Sequence, residues 1–330
     1  MLVLGIETSC DETAAAVVCD GRLVLSNIIA SQIDIHREYG GVVPEIASRK
    51  HIENIGPVVD AALKQANICK SQIEAIAVTK GPGLVGALLV GLSYGKALSY
   101  ALKKPLIGVN HIEGHIYANL LDSNPIQPFI CLVASGGHTH LLLVTDNWEI
   151  EVLGRTKDDA VGEAYDKTAR ALGLPYPGGP AIDALANEGN PNAIPFPRAI
   201  SEEMNFSFSG LKSAVLNYLN KQNMLGLGYS KADVAASFQQ AAVDVLTKKA
   251  VSACNRRHIK TLALAGGVAS NSALRQAMRT ACDKFNITLF VPPPVYCTDN
   301  AAMIASCGYF KWKQGKISSL DLNANSESQL

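Results

Sequence analysis

Short apolar runs separated by polar turns open the chain. Residues 3–7, 14–19 and 23–28 are largely apolar, and polar residues or the Asp20-Gly21 pair stand between them. Runs of this length between turn residues predict β-strands. We therefore expect the chain to begin with a three-stranded meander.

The apolar spacing becomes helical after Pro44. Apolar side chains up to Leu63 fall on one helical face, which predicts a helix of about 20 residues with Pro57 as a kink. The elements expected next are a strand at 75–79, a glycine turn, a small-residue helix over 84–102, a strand at 106–109 and a helix that carries His111 and His115.

The same order of elements begins a second time near Phe129. The expected second set comprises strands at 129–133, 139–145, 261–265 and 288–291, a glycine turn after the first, and helices that begin at Asn271 and after Thr298. Self-similarity of this kind indicates an internal duplication, with an insertion in the second copy between about residues 155 and 225.

Two copies of a meander followed by alternating helices and strands predict an α/β protein with two mixed-sheet domains that face each other across a central cleft. Actin, Hsp70 and the sugar kinases share this architecture, the actin-like ATPase (ribonuclease H-like) fold. We expect an N-terminal domain over 1–125, a C-terminal domain over 126–317 that contains the helical insertion, and a frayed polar tail over 318–330. Ligands in such folds bind at strand ends and first turns.

Composition and charge narrow the class of protein. Hydrophobic residues make up 48% of the chain and charged residues 18%, which predicts a folded protein. Lys and Arg total 29, as do Asp and Glu, so no overall basic field attracts nucleic acid. A local positive excess over residues 198–260 indicates either an RNA-contacting patch or, slightly favoured, solvated helix faces. The cations concerned are Lys212, Lys221, Lys231, Lys248, Lys249, Arg256 and Arg257.

Neither a membrane span nor a leader peptide is expected. The longest uncharged apolar stretch, residues 81–95, stops at Lys96 and is shorter than the roughly 20 residues of a spanning helix. The first residues lack the basic segment of a signal peptide. The 8 cysteines form no C-x-x-C pair, so reduced thiols are expected. These features favour a cytoplasmic protein without membrane contact.

Two histidines four residues apart are the first candidates for chemistry. His111 and His115 share one helix face, where both imidazoles can bind one divalent ion, although spacing alone equally allows two ordinary polar residues. The duplication places Asp299 at the equivalent strand end of the second copy, so its carboxylate is expected to reach the same cleft from the other domain. A His, His, Asp set with open positions suits catalytic zinc or iron(II).

The same histidine spacing occurs in zinc peptidases with the H-E-x-x-H motif. In that motif the general base directly follows the first histidine, whereas this chain has Ile112 there. Glu113 is expected about 200° around the helix from His111, away from the metal-binding face. A peptidase therefore remains only as an alternative.

Glycine-rich turns follow several of the expected strands. Glycines and small hydroxyl residues let backbone N–H groups approach phosphate oxygens, although hairpins also need glycine. After Ala265 a glycine pair leads into a helix N-terminus, where a nucleoside can rest. Asp183 follows a Pro/Gly turn, where its carboxylate can accept hydrogen bonds from ribose hydroxyls. An aspartate is equally ordinary at the N-terminus of a helix. The turns concerned are at 7–13, 135–139, 176–183 and 264–271.

Ten short segments form a specific combination over nearly the whole chain. They are G-I-E-T-S-C-D-E-T (5–13), G-G-V-V-P-E-I-A-S-R (40–49), G-P-G-L-V-G-A-L (81–88), H-I-E-G-H (111–115), S-G-G-H-T (135–139), G-E-A-Y-D-K-T-A (162–169), Y-P-G-G-P (176–180), F-S-F-S-G-L-K (206–212), G-G-V-A-S-N (266–271) and C-T-D-N-A-A-M-I (297–304). With them the chain resembles the TsaD family of tRNA N6-adenosine threonylcarbamoyltransferases in its bacterial form.

The resemblance implies a set of site residues. It implies that His111, His115 and Asp299 bind one divalent metal ion per subunit, Fe2+ ahead of Zn2+, and that nine further residues bind threonylcarbamoyl-AMP. Those nine are Val133, Ala134, Ser135, Gly136, Gly137, Asp166, Gly179, Asp183 and Asn271. Archaeal members have a tyrosine metal ligand ahead of the S-G-G turn, where this chain has Val133, so water or substrate would supply the remaining ligands.

The resemblance also implies a reaction and its partners. The threonylcarbamoyl group passes from threonylcarbamoyl-AMP to N6 of adenosine 37 in tRNAs that read codons starting with A, and AMP is released. Asp11 is expected to position or deprotonate the amine, and the metal to act as a Lewis acid. The implied partners are tRNA, a shorter TsaB-like paralogue that dimerises with this chain, a TsaE-like ATPase and a threonylcarbamoyl-AMP synthase.

Three other functions stay open at this point. A kinase of the same architecture would transfer phosphate from ATP to a small molecule, and a metal-dependent glycoprotease, the older description of this family, would cleave glycoproteins. A non-catalytic scaffold is expected to have lost the metal ligands, whereas this chain retains the His, His, Asp set. The retained ligands favour an enzyme.

Overall fold

Two five-stranded mixed sheets form the cores of the protein. The structure, a computed structural model, describes residues 1–199, 203–328 and 330. The chain divides into two units, the first formed by Met1–Asn124 together with Val295–Leu330 and the second by Pro125–Pro294. Helices pack on each sheet, which confirms the predicted α/β class.

The first sheet contains the predicted opening meander. Its strands are β1 (Leu2–Glu7), β2 (Glu12–Cys19), β3 (Leu23–Ser31), β4 (Ala75–Gly81) and β5 (Leu106–Asn110). The strand order is β3-β2-β1-β4-β5, with antiparallel β1–β2 and β2–β3 pairs and parallel β1–β4 and β4–β5 pairs. Every residue of β5 is buried, as expected for a strand covered on both faces.

Four helices of the first unit precede the second sheet in the sequence. They are α1 (Ile33–Arg37), α2 (Pro44–Gln65), α3 (Val85–Leu102) and α4 (His111–Tyr117), with single-turn 3-10 helices at Lys70–Gln72 and Ala118–Leu120. The predicted start of α2 at Pro44 is confirmed, since proline at the first helical position has no hydrogen bond to lose. Pro57 lies inside this helix.

Helix α3 has the extent that the sequence predicted for the small-residue helix, 84–102. It includes Lys96, at which the uncharged apolar stretch ends. Its 18 residues have a mean hydropathy of 1.3, and 33% of them are buried. By length and composition α3 alone, within the described part of the chain, qualifies as a membrane span. It packs against α2 and β4, as a core helix does, so it is weak evidence for a span.

The second sheet repeats the topology of the first. Its strands are β6 (Phe129–Ala134), β7 (Thr139–Val144), β8 (Ile150–Arg155), β9 (Thr261–Ala265) and β10 (Thr288–Phe290). The order β10-β9-β6-β7-β8 again joins an antiparallel meander to parallel strands. The predicted duplication is therefore confirmed.

Extra helices in the second unit occupy the predicted insertion. The helices that follow β8 are α5 (Val161–Ala171), α6 (Gly178–Ala186), α7 (Ser209–Met224), α8 (Lys231–Arg257), α9 (Ser272–Phe285) and α10 (Pro294–Cys297), with a 3-10 helix at Gly267–Ser270. Helices α5, α6 and α7 fall where the sequence indicated extra residues. Nothing in the first unit corresponds to them among the described residues.

The next helix, α11 (Ala301–Lys313), follows the second sheet in the sequence but packs on β1, β2 and α4 of the first unit. Gly5 permits this close packing, because a Cβ there would lie under 3.0 Å from the Ala305 backbone nitrogen. This differs from the expected division, which assigned residues up to 317 to the second domain. The second unit begins at Pro125.

Residues 318–328 lie along the first sheet, although their polar composition predicted a frayed tail. Ser318 pairs with Leu106, and the Asn325 backbone N–H donates to the Lys80 carbonyl at 2.8 Å. Leu322 packs against the apolar core of the first unit. Backbone hydrogen bonds to β4 and β5 hold this segment in place. The prediction was wrong because a polar composition does not show which backbone groups form hydrogen bonds.

Candidate functional site

Helix α4 begins directly after β5 and carries both predicted histidines. The Asn110 side chain caps the helix by accepting from Ile112 N at 2.8 Å and from Glu113 N at 3.4 Å. His111 and His115 therefore lie one turn apart on the same helix face. Both are buried, with exposures of 5% and 0%.

The two imidazoles meet the carboxylate of Asp299. Oδ1 of Asp299 lies 3.4 Å from His111 Nε2 and 3.3 Å from His115 Nε2. The three ligand atoms lie within 4.8 Å of one another. Asp299 was expected to reach the histidines from the second domain, but it belongs to the first unit because it directly precedes α11.

Both ring nitrogens of His115 are buried without a hydrogen bond in the described part of the chain. A buried imidazole without a hydrogen bond is costly unless another ligand satisfies it. Two imidazole nitrogens and a carboxylate oxygen are ligands that zinc and iron accept. The residues present therefore fit a divalent ion.

The charges around the cluster also favour a cation. Burial lowers the pKa of His111, but the negative charges of Asp299 and Glu7 outweigh it and raise this pKa well above its usual value. Burial raises the pKa of Asp299, but His111 and His115 outweigh it and lower this pKa well below its usual value. For His115, burial dominates and lowers the pKa. A metal ion competes for the same nitrogens as these protons.

Glu7 was singled out in the sequence only as part of a phosphate-type turn, yet it lies beside the histidines. It is fully buried at the end of β1. Its carboxylate accepts from Ser9 N at 2.5 Å and from Thr79 Oγ1 at 2.7 Å, and it lies 3.0 Å from His111 Nδ1. An acidic residue ending an apolar strand is the only signal that the sequence offers for this contact.

Glu113 lies off the helix face that carries the two histidines, as predicted. Its carboxylate forms an ion pair with Lys311 of α11 and accepts from Asn110 N at 3.4 Å. It is not among the groups that converge with the histidines. The arrangement that a peptidase base requires is therefore not formed by this residue.

Asp11 lies in the turn between β1 and β2 and is 7% exposed. Its neighbour Glu12 is half-buried, and burial together with the negative charges of Asp11 and Asp299 raises the pKa of Glu12 to about 10. Glu12 also accepts from Ser31 Oγ at 3.0 Å. The turn therefore places two acidic side chains in the same unit as the histidine cluster.

The nine residues expected to bind the nucleotide all belong to the second unit. They lie in β6 (Val133, Ala134), in the turn after it (Ser135, Gly136, Gly137), in α5 (Asp166), in α6 (Gly179, Asp183) and at the N-cap of α9 (Asn271). Asp166 Oδ1 accepts from Gly178 N at 2.7 Å, and Asn271 Nδ2 donates to Asp183 Oδ1 at 3.1 Å. These bonds connect α5 to α6 and α6 to α9.

The glycines of this set leave open space beside the backbone. A Cβ at Gly136, Gly137 or Gly179 would meet no atom within 4 Å, and the same is true of Gly267, which lies outside the set. Val133 and Ala134, in contrast, are buried within β6 at 0% and 1% exposure. The free surface of the predicted nucleotide set is therefore formed by the glycine turns and not by these two side chains.

Gln239 of α8 is a residue that sequence reasoning missed. It is 4% exposed, and its Oε1 accepts from Asn271 Nδ2 at 2.7 Å and from Tyr165 Oη at 3.5 Å. Asp183 also accepts from Ser272 N at 3.0 Å and from Ser272 Oγ at 2.8 Å. A pair of glutamines, Gln239 and Gln240, between small apolar residues of α8 was the available signal.

The cations of residues 198–260 do not form one free patch. Lys249 is buried and donates to the Glu203 carbonyl at 2.6 Å, Lys212 pairs with Asp159 at 2.5 Å, and Arg257 pairs with Glu151. Residues 200–202 of this stretch lie outside the described residues. Three of the seven cations named for this stretch are therefore engaged within the protein.

Solved structures share the fold at low sequence identity. HypF of T. kodakarensis matches with a TM-score of 0.64 at 16% identity, over 97% of this chain and 49% of that one. Component A of the Acidaminococcus fermentans (R)-2-hydroxyglutaryl-CoA dehydratase matches with a TM-score of 0.56 at 16% identity, over 94% of this chain and 98% of that one. These matches confirm the predicted actin-like ATPase fold.

Sequence comparison identifies the family. The TsaD family profile, described as tRNA N6-adenosine threonylcarbamoyltransferase, matches residues 23–306. A relative of that name from Clostridium novyi is 60% identical over 326 residues, which is 98% of this chain and 96% of the relative. Another from Clostridium perfringens is 59% identical over 332 residues, or 100% and 98% of the two chains. The chain belongs to the TsaD family of tRNA N6-adenosine threonylcarbamoyltransferases.

Proposed function

We propose that this tRNA-modifying transferase moves a threonylcarbamoyl group from threonylcarbamoyl-AMP to N6 of adenosine 37, in tRNAs that read codons starting with A, and releases AMP. Relatives about 60% identical over nearly the whole chain carry the matching activity in their names. The observation that carries the proposal is the convergence of His111, His115 and Asp299 within 4.8 Å in a member of this family.

His111, His115 and Asp299 would hold the divalent ion. Two histidines and one carboxylate with open positions are typical of iron(II) sites, so Fe2+ is favoured over Zn2+. When bound, the ion supplies Lewis-acid stabilisation of charge on carbamoyl or phosphate oxygens. Val133 offers no ligand atom in its side chain, so water or substrate is proposed for the remaining positions.

The second unit is proposed to bind the adenylate part of the donor. Open backbone at Gly136 and Gly137 supports close approach of phosphate oxygens to N–H groups. Asp183 accepts three hydrogen bonds, from Asn271 Nδ2, Ser272 N and Ser272 Oγ. A carboxylate has about four acceptor positions, which leaves one for a ribose hydroxyl.

Asp11 is proposed to position the N6 amine or take its proton as the amine attacks the carbamoyl carbonyl. Glu12 beside it, with a pKa raised to about 10 by burial and by neighbouring carboxylates, is protonated at neutral pH. Glu12 therefore acts as a hydrogen-bond donor, which leaves Asp11 as the acceptor of this pair.

Partner proteins are part of the proposal. We propose that a TsaB-like paralogue dimerises with this chain, that a TsaE-like ATPase joins them, and that a threonylcarbamoyl-AMP synthase supplies the donor in the cytoplasm. The chain has equal numbers of basic and acidic residues, 29 of each, so little of the charge that attracts tRNA comes from the chain as a whole. Slow turnover by the isolated chain follows from this proposal.

Nucleoside mass spectrometry tests the proposal. Unmodified tRNA that reads codons starting with A is incubated with threonylcarbamoyl-AMP, the partner proteins and either wild type or a variant. N6-threonylcarbamoyladenosine is expected with wild type and to fall at least about 100-fold with His111→Ala or Asp11→Ala. His258→Asn is the matched control, because His258 is exposed at the end of α8 with a φ of 55° that asparagine tolerates.

The outcomes separate the parts of the proposal. No product from metal-loaded wild type with its partners contradicts the transfer reaction, and phosphorylation of sugars and cleavage of glycoproteins are then assayed. Full activity of Asp11→Ala would show that Asp11 has no part in the mechanism. Full activity of His111→Ala would show that the proposed metal site is not needed for the reaction.

A further inference from the structure

The two metal-site histidines differ in what holds their second ring nitrogen. His111 Nδ1 lies 3.0 Å from Glu7 Oε2 and 3.2 Å from Ser9 Oγ. His115 Nδ1 is buried without a hydrogen bond to any described residue. We infer that Glu7 is a positioning residue, which accepts a hydrogen bond from His111 Nδ1 and so keeps the Nε2 lone pair directed to the ion beside Asp299. This inference rests on the metal site of the proposed function.

The chemistry of the two groups determines which nitrogen carries the proton. An ionised carboxylate can only accept, so the Nδ1 that faces Glu7 must carry the proton. A neutral imidazole has one N–H, and the lone pair then lies on Nε2. His111 Nε2 is the nitrogen that lies 3.4 Å from Asp299 Oδ1. Glu7 therefore selects the tautomer that a metal ion requires.

The protein itself fixes the carboxylate of Glu7. Glu7 is fully buried, with Oε1 accepting from Ser9 N at 2.5 Å and Oε2 accepting from Thr79 Oγ1 at 2.7 Å. These donors lie on the turn after β1 and on β4, so the sheet sets the carboxylate in place without help from an ion. A ligand oriented in advance binds metal more tightly than one that must be ordered on binding.

A glutamine at position 7 has the right shape but the wrong hydrogen bonds. Its NH2 group would replace either the oxygen facing Ser9 N–H or the oxygen facing His111. In the first orientation the glutamine NH2 group faces the Ser9 backbone N–H, so two donors meet without an acceptor. In the second the NH2 donates to His111 Nδ1, which moves the imidazole proton to Nε2 and removes the lone pair that the metal needs.

Metal affinity measures this effect without reference to catalysis. Wild type, Glu7→Gln and Thr79→Val, each as the full chain, are titrated with Zn2+ in competition with a chelator and with Co2+ by visible absorption. We expect Glu7→Gln to lower Zn2+ affinity about 10- to 100-fold and to weaken the Co2+ ligand-field bands. Thr79→Val removes another partner of the same oxygen but leaves the His111 contact, so its affinity is expected within about threefold of wild type.

Coupling between residues gives a second measurement. In a His115→Ala background Glu7→Gln is expected to lower the remaining Zn2+ affinity further. In a His111→Ala background it is expected to have no further effect, because the imidazole on which Glu7 acts is absent. Equal effects in both backgrounds would mean that Glu7 acts through general stability.

Several results would overturn the inference. A folded Glu7→Gln chain with Zn2+ affinity within about twofold of wild type would overturn the positioning role of Glu7 but leave the metal site itself intact. A loss of Zn2+ affinity in Thr79→Val equal to that in Glu7→Gln would also overturn it. If Glu7→Gln does not fold by circular dichroism, Glu7→Asp, whose carboxylate is one methylene short of His111, takes its place with the same criterion. Failure of wild type to bind either ion would instead refute the metal site of the proposed function.

Discussion

At the residue scale, two adjacent glycines after β9 show how differently neighbouring positions are constrained. Gly266 has a φ of +84°, and a Cβ there would lie under 3.0 Å from the Ala134 carbonyl. Gly267 has open space where a Cβ would be. The close approach of the ends of β6 and β9 therefore requires glycine at the first position only.

We predict that Gly266→Ala lowers the free energy of unfolding of the second unit by about 1–3 kcal/mol, because it adds both strain and a clash. Gly267→Ala is expected to change it by less than about 0.5 kcal/mol. Trp148 and Trp312 are the 2 tryptophans of the chain, one in each unit. Urea unfolding followed by Trp148 fluorescence in a Trp312→Phe background measures the second unit. Equal stability of both alanine variants would contradict the steric account.

A single carboxylate organises the F-S-F-S segment that precedes α7. Asp158 accepts from Ser207 Oγ at 2.5 Å, Phe208 N at 2.8 Å, Ser209 N at 3.2 Å and Ser209 Oγ at 2.6 Å. Partial burial raises the pKa of Asp158, but these hydrogen bonds outweigh it and hold the pKa below its usual value of 3.8. These hydrogen bonds give the serines of the motif a structural role.

This lowered pKa predicts an acid-dependent stability. The stabilisation is present above the unfolded-state pKa and is lost as the pH falls through the lower folded-state pKa. Asp158→Asn is expected to cost about 1–2 kcal/mol at pH 7, since the carboxylate is partly exposed, and the difference from wild type should shrink below about pH 4. Urea midpoints from Trp148 fluorescence at several pH values measure this.

Asp146→Asn is the control for that series, because Asp146 is an exposed aspartate of the same unit. Its variant should match wild type at every pH. A difference between wild type and Asp158→Asn that stays constant down to about pH 3 would show that the carboxylate charge plays no part.

At the element scale, residues 318–328 belong to the first unit's structure. Besides the bonds to β4 and β5, Ser328 O and Oγ accept from Asn110 Nδ2 at 3.4 and 3.2 Å. Asn110 is also the N-cap of α4, the helix that carries both histidines. The tail segment thus supports the cap of α4.

We predict that Leu322→Ala lowers the free energy of unfolding of the first unit by about 1–2 kcal/mol, because this half-buried side chain fills space over Gly108 and the core. Leu320→Ala, two residues away and 45% exposed, is the matched control and should change it by less than about 0.5 kcal/mol. Trp312 fluorescence in a Trp148→Phe background follows this unit. Indistinguishable midpoints for Leu322→Ala and wild type would mean that the segment does not stabilise the unit.

The sequence predicted what depends on local pattern. The start of α2 at Pro44 and the duplication of the meander follow from periodicity and turn residues, which neighbouring positions determine. The His111 and His115 pair follows from helical spacing. The place where α11 packs was not predicted, because it depends on contact between Gly5 and a helix distant in sequence.

The contacts that individual buried polar residues make also could not be predicted from the sequence. No spacing rule connects Glu7 to His111 or Gln239 to Asn271. Such residues are identified only when the fold brings their partners to them. Asp299 shows the intermediate case. Its approach to the histidines was expected, but it lies between α10 and α11 and not at a strand end, and it belongs to the first unit.

At the scale of the whole molecule, the first unit is discontinuous in sequence and the second is continuous. Residues 125–294 lie between the two parts of the first unit. Helix α11 covers β1, the central strand of the first sheet. A fragment of residues 1–124 therefore lacks a layer of its own core.

We predict that residues 125–294 expressed alone fold and unfold cooperatively, whereas residues 1–124 alone do not, because β1 then leaves apolar surface exposed. Joining 1–124 to 295–330 through a flexible glycine-serine linker should restore cooperative unfolding. Circular dichroism during urea titration of the three fragments checks this. Cooperative unfolding of 1–124 by itself would show that α11 is dispensable.

The position of α11 has a consequence for synthesis on the ribosome. Strand β1 is among the first residues to emerge, but the helix that covers it emerges only after the whole second unit has been translated. During that interval the nascent first unit presents an uncovered apolar strand, a surface that chaperones and proteases recognise. Asp299 arrives with the same late segment, so a prematurely terminated chain has neither a closed core nor the carboxylate that meets His111 and His115. Completion of translation and closure of the first unit around His111, His115 and Asp299 are thereby coupled.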